Sequence, residues 1–120
     1  MTKRILIVDD SALIRGQVRR LLASQAELEV CDEAANGAEA VRKVNECHPD
    51  LVVLDVVMPV MNGLDATRVI KKLSPASRVL LFTLDESPEF AREGERAGAD
   101  AILAKAHGTQ LTLIIHRLLD

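Results

Sequence analysis

The sequence predicts an α/β fold, a doubly wound parallel sheet of five strands with helices packed on both faces. Short apolar runs alternate five times with stretches whose apolar residues recur at helical spacing. That alternation is typical of strand–helix–strand units joined by right-handed crossovers. The run 51–54 is apolar throughout and lies between Pro49 and Pro59, as expected of a strand buried on both faces. A chain of 120 residues is long enough for one packed domain, which we expect over residues 1–120.

The first two strands are predicted at residues 4–8 and 28–33, and the second alternates apolar and polar side chains as an edge strand does. Ser11 is expected to cap the helix between them, and the apolar face of that helix would consist of Leu13, Ile14, Val18, Leu21 and Leu22. Asn36 and Glu39 have the spacing of a capping box, so a second helix is expected to begin there and to end before Pro49.

The third strand, 51–54, leads directly to Asp55. After Gly63 a third helix is expected, because its apolar residues follow the helical spacing of Ala66, Val69, Ile70 and Leu73. The fourth strand covers residues 78–82 and ends at Thr83. A carboxylate at the end of a buried strand is costly to bury without compensation, so Asp55 is already a candidate functional residue.

A fourth helix is expected to begin with Ser87 as its cap and Pro88 in its first turn, and to end at Gly98. Its apolar face is thin and would consist of Phe90, Ala91 and Ala97. Residues 101–104 form a fifth short strand that leads to Lys105, and Thr109 is expected to cap the last helix. That last helix has more apolar residues than one core face needs, which suggests either edge packing or a surface for a partner.

Composition excludes several classes of function. The net charge is −3 with no basic block, which argues against nucleic-acid binding. No apolar run approaches the roughly 20 residues that a membrane span needs. Cys31 and Cys47 lack the spacing of a metal or redox motif, and no signal peptide is evident, so we expect them to be buried thiols of a cytoplasmic protein.

Polar side chains follow four strands of the predicted sheet, and these residues are Asp9, Asp10, Asp55, Thr83 and Lys105. Because the carboxyl ends of parallel strands lie on one edge, all five can meet there. Gathered carboxylates repel one another, and a hard cation such as Mg²⁺ relieves that repulsion. With a lysine and a hydroxyl added, the set suits phosphoryl transfer, and Asp55 would be the nucleophile.

These residues lie in motifs that extend along the whole chain: IVDDS at 7–11, LDVVMPVMNG at 54–63, FT at 82–83, AGA at 97–99 and the final Lys105. With them the sequence resembles the receiver domain of bacterial two-component response regulators, including the chemotaxis regulators. The resemblance implies the flavodoxin-like receiver fold with strand order 2-1-3-4-5. It also implies a phosphorylation-dependent signalling switch, which catalyses only its own phosphorylation and dephosphorylation.

The family also implies a role for each site residue. Asp55 would accept a phosphoryl group from a sensor histidine kinase or phosphotransfer protein. Asp10 would bind Mg²⁺ directly, Asp9 would bind it through water, and the backbone carbonyl of Val57 would be a further ligand. The residues expected to contact the phosphoryl oxygens are Thr83 and Lys105. A downstream protein target would bind the face formed by the fourth helix, fifth strand and fifth helix, and phosphorylation could produce a homodimer.

Three positions depart from the usual family pattern. Ala106 follows the lysine where the family usually has a proline, and Ile102 occupies a position that is often aromatic. Leu84 follows the threonine where a small residue is common. The first two departures argue against the usual aromatic signalling switch, and none of the three removes the phosphorylation chemistry.

Two other functions remain open as alternatives. A Mg²⁺-dependent phosphatase would need an acid/base aspartate two residues after its nucleophile, and Val57 occupies that position. A receiver-like interaction module that no longer takes phosphate would fit if metal binding failed. The sequence does not name the kinase or the output. We expect a stand-alone receiver, although a receiver cut from a longer regulator would have the same sequence features.

Overall fold

The structure is a computed structural model that describes residues 2–120. Its five strands are β1 (Lys3–Val8), β2 (Leu28–Ala34), β3 (Leu51–Leu54), β4 (Arg78–Thr83) and β5 (Ala101–Ala104). Its α-helices are α1 (Ala12–Ala23), α2 (Gly37–Cys47), α3 (Gly63–Leu73), α4 (Pro88–Ala97) and α5 (Leu111–Leu119). A 3₁₀ helix, Lys105–Gln110, connects β5 to α5.

All strand pairs are parallel, and the strand order is β2-β1-β3-β4-β5. The predicted α/β fold and its strand order are therefore confirmed. The register aligns the carboxyl ends of the central strands, because Val8 pairs with Leu54 and Leu54 pairs with Leu81. Residues that follow these strands consequently emerge at one edge of the sheet.

The core consists of two apolar layers, one on each face of the sheet. Alternate residues of β1 point to opposite faces: Leu6 and Val8 pack with α2, α3 and α4, whereas Ile5 and Ile7 pack with α1 and α5. Every residue of β3 is buried, as predicted for a central strand covered on both sides. Helices on both faces thus leave the carboxyl edge of the sheet as the natural position for a site.

Side chains cap the first four helices. Oxygens of Ser11, Asn36, Asn62 and Ser87 each accept a hydrogen bond from the backbone N–H three residues further along. Pro88 occupies the first turn of α4, and Gly98 ends that helix with a φ of 102°. The predicted caps at Ser11, Asn36 and Ser87 and the predicted end at Gly98 are confirmed.

The predicted apolar faces are too wide on three helices. Leu13 and Leu21 are exposed on α1, where only Val18 and Leu22 are buried. Leu73 of the predicted α3 face and Ala91 of the predicted α4 face are also exposed. The buried face of each of these helices is therefore narrower than its apolar pattern, and the additional apolar side chains face solvent.

The predicted cap of the last helix is wrong. Thr109 lies inside the 3₁₀ helix, and α5 begins two residues later at Leu111 without a side-chain cap. Lys105 begins that 3₁₀ segment immediately after β5. All peptide bonds in the described residues are trans, including the bond between Lys105 and Ala106.

The amino edge of the sheet is held by Lys71 and Asp100. The Nζ atom of Lys71 donates to the carbonyl oxygen of Ser77 at 3.0 Å and to Oδ2 of Asp100 at 3.1 Å. The same Asp100 oxygen accepts from the Val79 N–H at 2.8 Å. These bonds join α3, the start of β4 and the start of β5. Within residues 2–120, no helix is both long enough and apolar enough to cross a membrane.

Candidate functional site

The structure brings three predicted site residues together at the carboxyl edge of the sheet. Asp9, Asp55 and Thr83 are buried directly after or at the end of β1, β3 and β4. Lys105 reaches the same edge from the segment after β5, and Asp10 lies beside Asp9 but is exposed. The sequence predicted both aspartates at this edge without distinguishing their burial, which the structure shows to be opposite.

Hydrogen bonds to the backbone fix the position of Asp55. Its N–H donates to the carbonyl oxygen of Val8 at 2.9 Å, and its Oδ1 accepts from the N–H of Val56 at 2.8 Å. The N–H of Gly63 then donates to the Val56 carbonyl oxygen at 2.8 Å. A Cβ atom on Gly63 would lie 2.1 Å from the Asp55 carbonyl oxygen, so only glycine allows α3 to begin this close to the strand end.

Lys105 bridges two buried carboxylates. Its Nζ atom lies 2.8 Å from Oδ2 of Asp9 and 3.4 Å from Oδ1 of Asp55. The other carboxylate oxygen of Asp9, Oδ1, accepts from the Ser11 N–H at 2.9 Å. An ammonium group between two carboxylates offsets part of their mutual repulsion, which makes their burial tolerable without another cation.

The pKa values in the site follow from burial and from these charges. Burial raises the pKa of Asp55 above its ordinary value, and the negative charge of Asp9 raises it further. Lys105 opposes both effects without cancelling them. Burial by itself would lower the pKa of Lys105, but its hydrogen bond to Asp9 and the charges of Asp55 and Asp9 raise it overall. The lysine is therefore a permanent positive charge in this site.

The three carboxylates fit a small divalent cation. Asp9, Asp10 and Asp55 each offer one oxygen, and these oxygens lie within 4.8 Å of one another. Oxygen ligands of octahedral Mg²⁺ stand at about 2.1 Å from the metal, so opposite ligands are about 4.2 Å apart. Adjacent ligands are about 3.0 Å apart, so the side chains would close around the ion, and all of them are hard oxygen donors.

A cavity of about 530 Å³ opens above these residues, and it is lined by Asp9, Asp10, Ser11, Asp55, Val56, Val57, Thr83, Leu84, Asp85, Phe90 and Lys105. Two of its apolar side chains stand almost free in solvent, since Val57 is 80% exposed and Leu84 is 81% exposed. Thr83 is buried, and its hydroxyl accepts from the N–H of Asp85 at 3.2 Å.

Sequence reasoning missed Asp85 as part of the site. Its carboxylate oxygen Oδ1 accepts from the N–H of Ser87 at 2.8 Å, and the residue lines the same cavity as Asp55. A signal was available, because an aspartate two residues before a helix-capping serine commonly forms such a turn. Phe90, predicted only as a core residue of α4, also reaches this cavity.

Sequence and structure comparisons both match this chain to response regulators. The family described as Response regulator receiver domain matches residues 5–116. The chemotaxis protein CheY of Halobacterium salinarum is 39% identical over 105 residues, which are 88% of this chain and 86% of that protein. A two-component response regulator of the LuxR family from Aurantimonas sp. SI85-9A1 has a crystal structure that matches 99% of this chain and 86% of that chain, with a TM-score of 0.94 and 36% identity.

A second kind of relative is much longer than this chain. The protein-glutamate methylesterase/protein-glutamine glutaminase of Pyrococcus abyssi is 49% identical over 83 residues, which are 69% of this chain but only 23% of that protein. The chain therefore spans less than a third of the length of that relative.

Proposed function

This chain belongs to the response regulator receiver family of two-component systems, and from that membership we propose that it is a phosphorylation-dependent signalling switch with Asp55 as phosphoacceptor. The observation that carries the proposal is the cluster of Asp9, Asp55 and Lys105, in which one ammonium group contacts two buried carboxylates. Residues 1–120 would act as one receiver domain. Thr83 lines the same cavity as Asp55 and Lys105, so the site has both a positive charge and a hydroxyl, as transfer of a charged phosphoryl group requires.

The donor would be a phosphohistidine on a sensor histidine kinase or phosphotransfer protein. A carboxylate oxygen of Asp55 attacks phosphorus, the P–N bond breaks, and the imidazole nitrogen keeps the electron pair. Lys105 and Thr83 contact the phosphoryl oxygens once these arrive. Positioning and charge neutralisation account for most of the catalysis in such a step, and the chain supplies both.

Mg²⁺ is the cofactor that the donor set fits. Asp10 would bind it directly, Asp9 would bind it through water, and the remaining protein ligands would be Asp55 and the Val57 carbonyl oxygen. Bound Mg²⁺ would neutralise charge on the carboxylates and on the phosphoryl oxygens. Asp10 suits a direct ligand because it is exposed and accessible to a hydrated ion, whereas Lys105 already occupies one oxygen of Asp9.

The output would be a protein contact in the cytoplasm. The face formed by α4, β5 and α5 would bind a downstream target or, after phosphorylation, a second copy of the chain. Leu113 on α5 is 52% exposed, which leaves an apolar side chain of this helix in solvent. In this role the chain would have no enzymatic substrate apart from its own phosphorylated aspartate, and it would contact neither nucleic acid nor membrane.

The test is to incubate the protein with acetyl phosphate and Mg²⁺, or with beryllofluoride and Mg²⁺, and to locate the modified residue by mass spectrometry or NMR. We expect modification at Asp55 alone, dependent on Mg²⁺ and absent from Asp55→Asn. Asp65→Asn, which removes an exposed carboxylate on α3, is the matched control and should react normally. Modification that persists in Asp55→Asn or after removal of the metal would refute the proposal. Failure to bind Mg²⁺ and beryllofluoride would instead favour a receiver-like interaction module that takes no phosphate.

A further inference from the structure

The connection between β4 and α4 contains three successive hydrogen bonds from backbone N–H groups to side chains. The Asp85 N–H donates to Oγ1 of Thr83 at 3.2 Å, and the Ser87 N–H donates to Oδ1 of Asp85 at 2.8 Å. The Phe90 N–H then donates to Oγ of Ser87 at 3.1 Å. We call these three bonds the 83–90 relay. They link the last residue of β4 to the first turn of α4 without a gap.

At one end of the relay, the Thr83 hydroxyl is held in a defined orientation. A hydroxyl has one proton and two lone pairs, and one lone pair of Thr83 accepts from the Asp85 N–H. The proton is then free to be donated away from the loop. Thr83 is buried and lines the cavity of Asp55, so its proton is available to an acceptor that enters this cavity.

In the middle of the relay, the Asp85 carboxylate fixes the backbone that holds Thr83. Asp85 is exposed, and the Ser87 N–H that it accepts lowers its pKa below the ordinary value. The carboxylate is therefore ionised near neutral pH, and hydrogen bonds to ionised acceptors are the stronger ones. Because this bond closes a turn, the direction of the Asp85 N–H depends on the Asp85 side chain.

Beyond the α4 end of the relay, the helix packs closely against β5 at Gly94. A Cβ atom on Gly94 would lie 2.6 Å from Cδ1 of Ile102, so the helix backbone rests directly on that side chain. Phe90, one turn earlier, is buried and lines both the Asp55 cavity and an adjoining one that Ile102 also lines. The relay therefore ends in the turn of α4 that lies between the Asp55 cavity and the Gly94 contact.

From this arrangement we infer that Asp85 is a positioning residue, which orients the Thr83 hydroxyl towards a phosphoryl group on Asp55 and transmits the position of that hydroxyl to the first turn of α4. The inference rests on the phosphorylation of Asp55 proposed above. When a phosphoryl oxygen accepts the Thr83 proton, the hydroxyl, the Asp85 N–H and the Ser87 cap move together. Residue 102 need not be aromatic for this coupling.

The first experiment needs no ligand and measures amide hydrogen exchange by NMR. Asp85→Ala should speed exchange of the Phe90 N–H at least tenfold, although Asp85 does not contact that group directly. Asp85→Asn retains an acceptor and should restore slow exchange. Glu86→Ala, which changes the neighbouring exposed carboxylate, is the matched control, and the Ile70 N–H in α3 monitors the intact fold. Equal Phe90 exchange in Asp85→Ala and Glu86→Ala would overturn the inference.

The second experiment adds beryllofluoride and Mg²⁺ and follows amide resonances. In the unmodified protein the resonances of Asp55, Asp85 and Phe90 should all shift. In Asp85→Ala the Asp55 resonance should still shift, whereas the Phe90 shift should fall at least twofold. If the Asp55 resonance does not shift in the unmodified protein, the proposed function is refuted. The hydrogen-exchange experiment then still tests whether Asp85 couples Thr83 to the first turn of α4. If Phe90 responds equally in Asp85→Ala, transmission through Asp85 is refuted.

Discussion

The Nζ atom of Lys105 lies 2.8 Å from Oδ2 of Asp9, whereas its distance to Oδ1 of Asp55 is 3.4 Å. The positive charge of Lys105 therefore offsets the charge of Asp9 more strongly than that of Asp55. A phosphoryl group on Asp55 would add negative charge on the Asp55 side and compete with Asp9 for the same ammonium group. The resting contact with Asp9 thus holds Lys105 within reach of the acceptor.

Lys105→Met should destabilise the protein by about 3 kcal/mol, because removal of one partner leaves a buried charge uncompensated. Urea denaturation at pH 7 without divalent cations measures this loss. Lys72→Met changes an exposed lysine on α3 and should have little effect. The double variant Asp9→Asn, Lys105→Met should recover most of the loss. A loss in Lys105→Met no larger than that in Lys72→Met would contradict the ion pair.

Asp55→Asn should stabilise the protein at pH 7 in metal-free buffer. Burial, followed by the charge of Asp9, raises the folded-state pKa of Asp55, so its ionisation costs stability at neutral pH. That cost disappears as the pH falls through the raised pKa towards the ordinary value of 3.8, where both states are protonated. The gain should therefore shrink between pH 7 and pH 4 in denaturant titrations. A gain independent of pH would show that carboxylate charge is not its cause.

Gly63→Ala should distort the backbone around Asp55. Its Cβ atom would lie 2.1 Å from the Asp55 carbonyl oxygen, which is backbone and cannot rotate away. We expect a stability loss of about 1–3 kcal/mol from the forced backbone shift and at least a tenfold weaker affinity for beryllofluoride and Mg²⁺. Gly16→Ala is the control, since its Cβ atom would meet nothing within 4 Å. That variant should gain about 0.5–1 kcal/mol, because alanine is the better helix former. Unchanged affinity in Gly63→Ala would mean that Asp55 does not depend on the start of α3.

Leu84→Ala should shorten the lifetime of phosphorylated Asp55. Leu84 lines the solvent side of the cavity and is 81% exposed, and we expect its side chain to hinder the approach of water to phosphorus. We expect dephosphorylation at least threefold faster, with the fold unchanged because the side chain is outside the core. Leu113→Ala, on α5 and also exposed, is the matched control. A dephosphorylation rate in Leu84→Ala equal to or slower than that of the unmodified protein would refute the protection of phosphorylated Asp55 by Leu84.

Features that depend on neighbouring residues were predictable from the sequence. Ser11, Asn36 and Ser87 cap helices as expected, because the capping bond extends only three residues along the chain. The width of a buried face was not predictable, since it depends on how much of each helix the sheet covers. Leu13 and Leu21 continue the apolar pattern of α1, yet only Val18 and Leu22 are buried.

The same distinction applies to the site. That Asp9, Asp55, Thr83 and Lys105 would meet followed from the alignment of parallel strand ends. Which aspartate would be buried, and which carboxylate Lys105 would contact more closely, depends on side-chain geometry that no spacing encodes. Asp85 was not predicted for another reason. The turn that it forms with Ser87 is common in loops, and it indicates a site residue only once the bond between Asp85 and Thr83 is known.

The bond between Lys105 and Asp9 joins residues 96 positions apart, whereas Lys71 and Asp100 are only 29 apart. Closing the longer loop costs more chain entropy, so we expect the amino edge to form earlier along the folding pathway than the carboxylate cluster. Asp100→Ala should then slow folding, whereas Lys105→Met should mainly speed unfolding, in stopped-flow measurements. The reverse pattern would contradict this order. On the proposed function, the domain would become able to accept phosphate only after the segment that carries Lys105 has folded against the end of β1, which would keep incompletely folded domains from signalling.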